Sequence, residues 1–326
     1  LLFRKTINMQ RRFLGNTGIA VSEIAFGGVE IGLPYGIGVK WEEDMLPEKD
    51  AMQLLLTALD SGLNFFDTAR LYGVSENIMG KAFAGRRDEI VLCTKCRHFR
   101  DEMGNLADDE TLRKIIHQSL EESLKALQTD YIDLYMLHQG DMEILSRDVI
   151  AEEMQKLKTK GVVRSIGVSA YSAEESKKII VSGVWNVVQL PFNLMDQRQQ
   201  SLFGLAEEKG VGIVVRSVLL KGLLSNRGTG LHPMLAPVEK HIQQYQGLLN
   251  DKFTNLPELA VKFALSFPQV SSVLVGMDKL DYLKQSLAAA NGCYLSEDQL
   301  AHAQALSYPD PSFLNLPHWD KMGWLR

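Results

Sequence analysis

Short apolar runs recur along the chain, and amphipathic stretches fill most of the gaps between them. The runs fall at Glu23–Gly27, Asn64–Thr68, Ile90–Lys95, Tyr131–His138, Val163–Ser169, Val187–Pro191, Gly212–Ser217 and Ser272–Gly276. At five to eight residues each, they are too short for helices and predict strands. Between them, Thr111–Gln128 places Leu112, Ile115, Ile116, Leu120, Leu124 and Leu127 three and four apart, a core-facing helical stripe. Pro47 opens a predicted helix over Glu48–Ser61, and Gly62, Gly161 and Gly210 stand where helices stop. Most strand starts lie 24 to 41 residues apart, the size of a strand–helix unit. Strands alternating with helices imply a parallel sheet, and eight of them close into a barrel.

The predicted fold is therefore α/β, a (β/α)8 TIM barrel forming a single domain over residues 9–326, with residues 1–8 as an N-terminal extension. A β-hairpin is expected at the start. Arg12-Phe13-Leu14 and Ile19-Ala20-Val21 flank Gly15-Asn16-Thr17-Gly18, residues that tolerate the positive φ of tight turns. Two intervals exceed the rhythm: 28–46, and 219–255 with an extra helix predicted at Val238–Leu249. Loops after strand C-termini build barrel sites, which makes both candidate lids. The tail from Pro309, with Phe313, Trp319 and Trp324, packs outside the barrel or reaches over its mouth.

Composition narrows the function. The 326 residues are 45% hydrophobic with a formal charge of −5, enough for a large core and without a basic footprint for nucleic acid. No apolar run approaches the roughly 18–20 residues of a membrane helix. The first residues lack the apolar core of a signal peptide, so a cytoplasmic protein is expected, with no membrane or nucleic-acid partner. Cys93, Cys96 and Cys293 are too few for a disulfide framework. Cys93-Thr94-Lys95-Cys96 matches C-x-x-C but lies on a predicted strand, where positions three apart face opposite sides, so two buried thiols are expected rather than a redox pair. The seven histidines show no metal-ligand spacing, and no metal is expected.

The chemistry sits at strand ends. Asp67, Lys95 and His138 close three successive strands, and Tyr72 follows Asp67 by five residues. Alternation puts Phe65 with Asp67, Cys93 with Lys95, and Leu134 and Met136 with His138, each on one face. If those faces point inward, the three polar groups rise beneath Tyr72. An ammonium about 4 Å from the phenol, at an effective dielectric near 20, favours the phenolate by roughly 4 kcal/mol. That would lower the tyrosine by about 3 pH units. His138 would donate to a carbonyl oxygen, and the set suits protonating an alkoxide or deprotonating an alcohol.

With these motifs the sequence resembles the aldo-keto reductases, (β/α)8 barrels that transfer hydride to and from a nicotinamide, over about residues 9–290. The resemblance implies an NAD(P)-dependent oxidoreductase with Asp67, Tyr72, Lys95 and His138 as the catalytic tetrad and Tyr72 as general acid/base. Ile166-Gly167-Val168-Ser169-Ala170 looks like the family's fifth-strand segment and implies that Ser169 and Gln189 hold the nicotinamide carboxamide. Ala170 replaces a frequent Asn. Arg216-Ser217-Val218-Leu219-Leu220-Lys221-Gly222 resembles the segment that wraps the pyrophosphate, which implies cofactor contacts from Arg216, Ser217, Leu219 and Gly222. Arg216 stands where an aromatic often stacks on the nicotinamide. The run from Leu274 looks like the adenosine-binding segment and implies Gly276, Met277, Asp278, Tyr282, Gln285 and Ser286 as further contacts. The family binds nicotinamide without the G-x-G-x-x-G turn, which this chain lacks.

Asp278 and Tyr282 occupy positions that often carry a base gripping the 2′-phosphate of NADP. An Asp accepts from the free ribose hydroxyl instead, which favours NAD over NADP, although Lys279 turned inward would restore the phosphate contact. The strand ending Val275-Gly276-Met277 resembles the sugar-oxidising members, so the expected substrate is a small carbonyl or alcohol such as an aldose or sugar lactol. A nicotinamide-binding regulatory subunit on the same barrel, with little turnover, is the alternative. A barrel lyase using Lys95 as a Schiff-base nucleophile is a third.

Overall fold

The structure, a computed structural model, describes residues 9–39 and 41–325; the expected extension 1–8 lies outside them. Strands β1 (Arg11–Phe13) and β2 (Ala20–Ser22) pair antiparallel, Arg11 opposite Ser22 and Phe13 opposite Ala20. The turn between them needs its glycines rather than its asparagine. Gly15 and Gly18 take φ of 51° and 73°, whereas Asn16 stays at −88°. A Cβ on Gly15 would fall 2.3 Å from the Gly210 carbonyl, so only glycine lets the hairpin tip dock there.

Eight parallel strands follow: β3 (Ile24–Gly27), β4 (Phe65–Asp67), β5 (Val91–Lys95), β6 (Ile132–Leu137), β7 (Val163–Ser169), β8 (Val187–Pro191), β9 (Gly212–Arg216) and β10 (Val270–Gly276). They close into a barrel in chain order, with β10 paired to both β3 and β9. All eight predicted strands are present, differing by one or two residues at some ends. Helices α1 (Glu48–Asp60), α2 (Ser75–Ala82), α3 (Asp109–Leu127), α4 (Asp148–Thr159), α5 (Ala173–Val181) and α6 (Phe203–Lys209) follow β3–β8, one after each strand. Helix α3 starts two residues before the predicted Thr111, because Asp108 caps it by accepting the Thr111 N–H at 2.8 Å.

Alternation along the strands builds two cores. Ala25, Phe65, Val91, Cys93, Leu134, Met136, Val187 and Val214 fill the interior, and Leu14, Ile19 and Val21 of the hairpin join them from the bottom. Each of those three plugging side chains contributes about 1.5–3 kcal/mol on burial. Arg12 fastens the plug by donating to the carbonyls of Val270 at 2.8 Å and Phe267 at 3.0 Å, and it pairs with buried Glu23 at 2.6 Å. The second core lies between strands and helices and holds Cys96, Tyr135 and Leu137. Cys93 and Cys96 thus face opposite layers, as strand alternation requires.

The long segment after β9 carries α7 (Ala236–Gln244), closed by a 3-10 turn at Tyr245–Leu248. The predicted Val238–Leu249 helix therefore begins two residues earlier and ends as a tighter turn. Then come α8 (Leu256–Leu265), α9 (Leu280–Ala289), α10 (Glu297–Ala305) and α11 (Leu316–Lys321). Trp319 of α11 is fully buried, Trp324 stacks on His232 with ring centroids 5.9 Å apart, and Asp320 pairs with Lys221 at 3.3 Å. The tail thus packs on the segment after β9. No described helix is long and apolar enough to cross a membrane.

Candidate active site

A cavity of about 780 Å³ opens at the C-terminal ends of the strands, a size typical of small-molecule sites. Its floor is set by register. Asp67 lies opposite Cys93, Lys95 opposite Met136 and Ser169 opposite Gln189, so inward-facing positions of neighbouring strands meet at one level.

Asp67 and Lys95 are fully buried and form a close ion pair through Oδ1 and Nζ. The ammonium also donates to the Thr68 carbonyl at 3.0 Å. Across the barrel, Gln189 Nε2 donates to Asp67 Oδ2 at 2.8 Å. Gln189 therefore braces the carboxylate while still lining the cavity, a role beyond the one expected for it. Burial works against the Lys95 ammonium, but Asp67, with Tyr72 and Cys93 behind it, more than compensates and holds the lysine above its ordinary range.

Tyr72 comes from the turn between β4 and α2. Its N–H donates to the Ala69 carbonyl at 3.0 Å and its carbonyl accepts from Ser75 at 3.0 Å. Two glycines let the loop after β3 press on this turn. A Cβ on Gly32 would fall 1.9 Å from the Tyr72 carbonyl oxygen, and one on Gly73 2.2 Å from the Gly32 carbonyl oxygen. Lys95 Nζ lies 5.0 Å from the centre of the Tyr72 ring. The expected net lowering of the phenol does not occur: burial raises it, and the pull of Lys95, opposed by Asp67, is not enough to reverse that. Burial is the main reason, and Asp67 adds to it by sharing the ammonium, so the phenol sits above a pair rather than above a bare cation.

His138 meets Tyr72 edge to face with centroids 5.3 Å apart. Burial, with Lys95, His98 and Arg216 nearby, pushes its imidazole down to about 2, so the ring is neutral. Its Nδ1 is sealed from solvent without a partner. The four predicted polar residues are thus together, two as a buried pair and two at the cavity wall.

Ser169, Gln189, Arg216, Ser217, Leu219 and Gly222 all line the cavity, as do Gly276, Asp278, Tyr282, Gln285 and Ser286. Met277 does not; it is buried in the outer core. The Ser286 hydroxyl is spent on the Tyr282 carbonyl at 2.9 Å, and Lys279 packs over the Tyr282 ring at 5.8 Å. Arg216 is pinned: it donates to the Ala170 carbonyl at 2.8 Å and lies 4.4 Å above the Tyr171 ring. Of the four non-glycine residues described with positive φ, Ser217, Leu220 and Lys221 fall in this one segment, the clustering of strain that marks binding segments. A strap crosses the mouth, where Ile37 donates to the Lys221 carbonyl at 3.1 Å and Arg227 to the Ile37 carbonyl at 3.0 Å. Sequence reasoning missed Glu30 and Tyr171 in the lining; an isolated Glu or Tyr in a loop carries no periodic signal.

The family model described as Aldo/keto reductase family matches residues 23–307. An L-galactose dehydrogenase of Arabidopsis thaliana is 30% identical, with 92% of this chain and 95% of that protein covered. An NADH-specific methylglyoxal reductase of Escherichia coli is 27% identical, with 87% and 94% covered. Among solved structures, the holo form of the aldo-keto reductase AKR11C1 from Bacillus halodurans superposes with a TM-score of 0.77 at 30% identity, covering 93% of this chain and 97% of that one.

Proposed function

The chain belongs to the aldo-keto reductase family, oxidoreductases that act on carbonyl compounds with nicotinamide cofactors, and from that premise we propose that it reversibly reduces a small, polyhydroxylated carbonyl compound with Tyr72 as general acid/base and NAD as preferred cofactor. The observation that carries this reading is Tyr72 standing over the Asp67–Lys95 pair with neutral His138 at its edge. The nicotinamide, when bound, supplies the hydride that reaches the carbonyl carbon or takes it from the alcohol carbon. Tyr72 gives its proton to the substrate oxygen on reduction and takes it back on oxidation. Lys95 stabilises the phenolate left behind, and Asp67 with Gln189 holds Lys95 in place. His138, neutral, donates to the substrate oxygen and orients it.

The cavity also fits a dinucleotide in its donor set. His138, with its orphaned Nδ1 in the wall, and the strained, cation-bearing segment 216–227 line a space of adequate size. Ser169 and Gln189 would hold the carboxamide, and the segment from Arg216 would hold the phosphates. Asp278 in the lining and Lys279 turned onto Tyr282 support NAD over NADP. The names of the Arabidopsis and Escherichia coli relatives support a sugar or a small dicarbonyl as substrate, with NADH.

Replacing Tyr72 by Phe tests the reading. Hydride transfer followed by NADH absorbance should fall by about 10²–10⁴, while NADH still quenches tryptophan fluorescence with nearly unchanged affinity. Retained turnover would remove Tyr72 from the proton step.

A further inference from the structure

Glu30 stands in the loop leaving β3 and belongs to no part of the proton relay. The residue as a whole is half-buried, yet its Oε2 is sealed from solvent and has no hydrogen-bond partner. Its seat is made by Gly276 at the end of β10, where a Cβ would fall 1.7 Å from Glu30 Oε1. Only glycine at 276 lets the carboxyl lie there, so both positions cooperate to hold an unsatisfied acceptor inside the cavity. Unlike Asp67, which Lys95 and Gln189 occupy, the Glu30 carboxyl has only its own backbone N–H as a partner and keeps lone pairs to offer.

Its surroundings narrow what it takes. Asp278 and Asp67 act on its charge, and Glu30 in turn acts on Tyr35 and Tyr72, which Arg216 also reaches. Arg216, Lys221 and Arg227 line the cavity from the segment after β9, so cationic and acidic groups are contributed by different walls. A phosphate is favoured by the first and repelled by the second. A neutral hydroxyl donor fits the second, and a carboxyl with two oxygens matches two adjacent hydroxyls.

We propose that Glu30, seated on Gly276, is a ligand residue of the cavity that binds a vicinal diol. This deepens the oxidoreductase reading and rests on it, because both a cofactor ribose and a sugar substrate present such a diol. Burial, reinforced by Asp278 and Asp67, pushes the empty Glu30 carboxyl up to about 8. Hydroxyls donating to the carboxylate favour its ionised form, so diol binding strengthens as pH rises toward that value.

Calorimetric titration of NADH into the wild type, Glu30→Gln and Glu30→Ala, with no substrate present, separates the sources. KM values for L-galactose and for methylglyoxal complete the experiment, and thermal melts establish that each variant is folded. A ribose diol predicts NADH affinity weakened about tenfold in Glu30→Gln, the order expected when a charge-assisted hydrogen bond becomes neutral. In that case wild-type affinity also strengthens from about pH 6 to about pH 9, and Glu30→Gln loses this slope. A substrate diol predicts unchanged NADH affinity, an L-galactose KM raised about tenfold and an unchanged methylglyoxal KM. Folded variants unchanged in both measurements overturn the proposal. A wild-type protein that binds neither NADH nor NADPH fails the oxidoreductase reading itself, a result distinct from the others.

Discussion

Replacing Lys95 by Met removes the charge beneath Tyr72 while keeping an unbranched stem in a fully buried position. Two effects follow, and they can be separated. At the 5.0 Å between Nζ and the Tyr72 ring centre, and at an effective dielectric near 20, unit charges interact by about 3.3 kcal/mol. That corresponds to about 2.4 pH units on the phenol. The ammonium favours the phenolate, so its loss drives the phenol further above the raised value that burial already imposes. At any pH below both values the phenolate fraction then falls by about 250-fold. On the proposed mechanism alcohol oxidation uses that phenolate as its base, so it should fall by this order near neutral pH and recover as pH rises. Carbonyl reduction starts from the neutral phenol and should lose less, since it feels only the charge developed in the transition state. Single-turnover NADH formation across the pH range reads the first effect. The second is structural: Asp67 keeps Gln189 but loses its counter-ion, and removing one partner of a buried pair costs about 3–5 kcal/mol. Combining Asp67→Asn with Lys95→Met should restore much of the melting temperature and none of the turnover. A Lys95→Met protein that oxidises at the wild-type rate near neutral pH, with an unshifted pH profile, would refute the reasoning.

Two further outcomes follow from the same geometry. Gly32→Ala places a Cβ 1.9 Å from the Tyr72 carbonyl oxygen and 2.6 Å from the Ser75 Cβ; forced overpacking of this kind costs about 1–3 kcal/mol. Its melting temperature and turnover should fall while NADH binding persists, and an unchanged turnover would free Tyr72 from this contact. Asp278→Arg should raise NADPH affinity relative to NADH by about tenfold or more, the worth of a charge-assisted hydrogen bond. Fluorescence titration with both cofactors reads the ratio, and a constant ratio would place Asp278 away from the ribose.

The barrel was legible in the sequence because its strands bury most of both faces and so read as compact, largely apolar runs, as at Val163–Ser169, where only Arg164 is exposed, and Val187–Pro191, whose limits agree with the structure. Alternation put Asp67, Lys95 and His138 each on a definite face of its strand, but that those faces turn inward took barrel closure to fix. Three things were not legible, each because it depends on closure. The Gln189–Asp67 bond joins residues 122 positions apart and exists only once β8 faces β4 across the barrel. The upward shift of Tyr72 is set by burial, which spacing along a chain does not reveal. Glu30 reads as a solvated loop charge until β10 closes against β3 and brings Gly276 beneath it. Met277 shows the converse: its place in a recognised segment suggested a contact, but the end of the strand turns it into the outer core.

The hairpin plug has a consequence for traffic. With Leu14, Ile19 and Val21 packed into the far end, Arg12 bolting them there and side chains filling the interior, the described residues leave no passage through the barrel, and the cavity opens at the strand C-terminal end. Cofactor and substrate must enter and leave by the same door, past the strap joining Ile37 to Lys221 and Arg227. Two molecules sharing one exit would not exchange independently, and one held under the strap would leave last. Turnover in such a barrel is a queue rather than a free exchange, and its rhythm is set at the threshold.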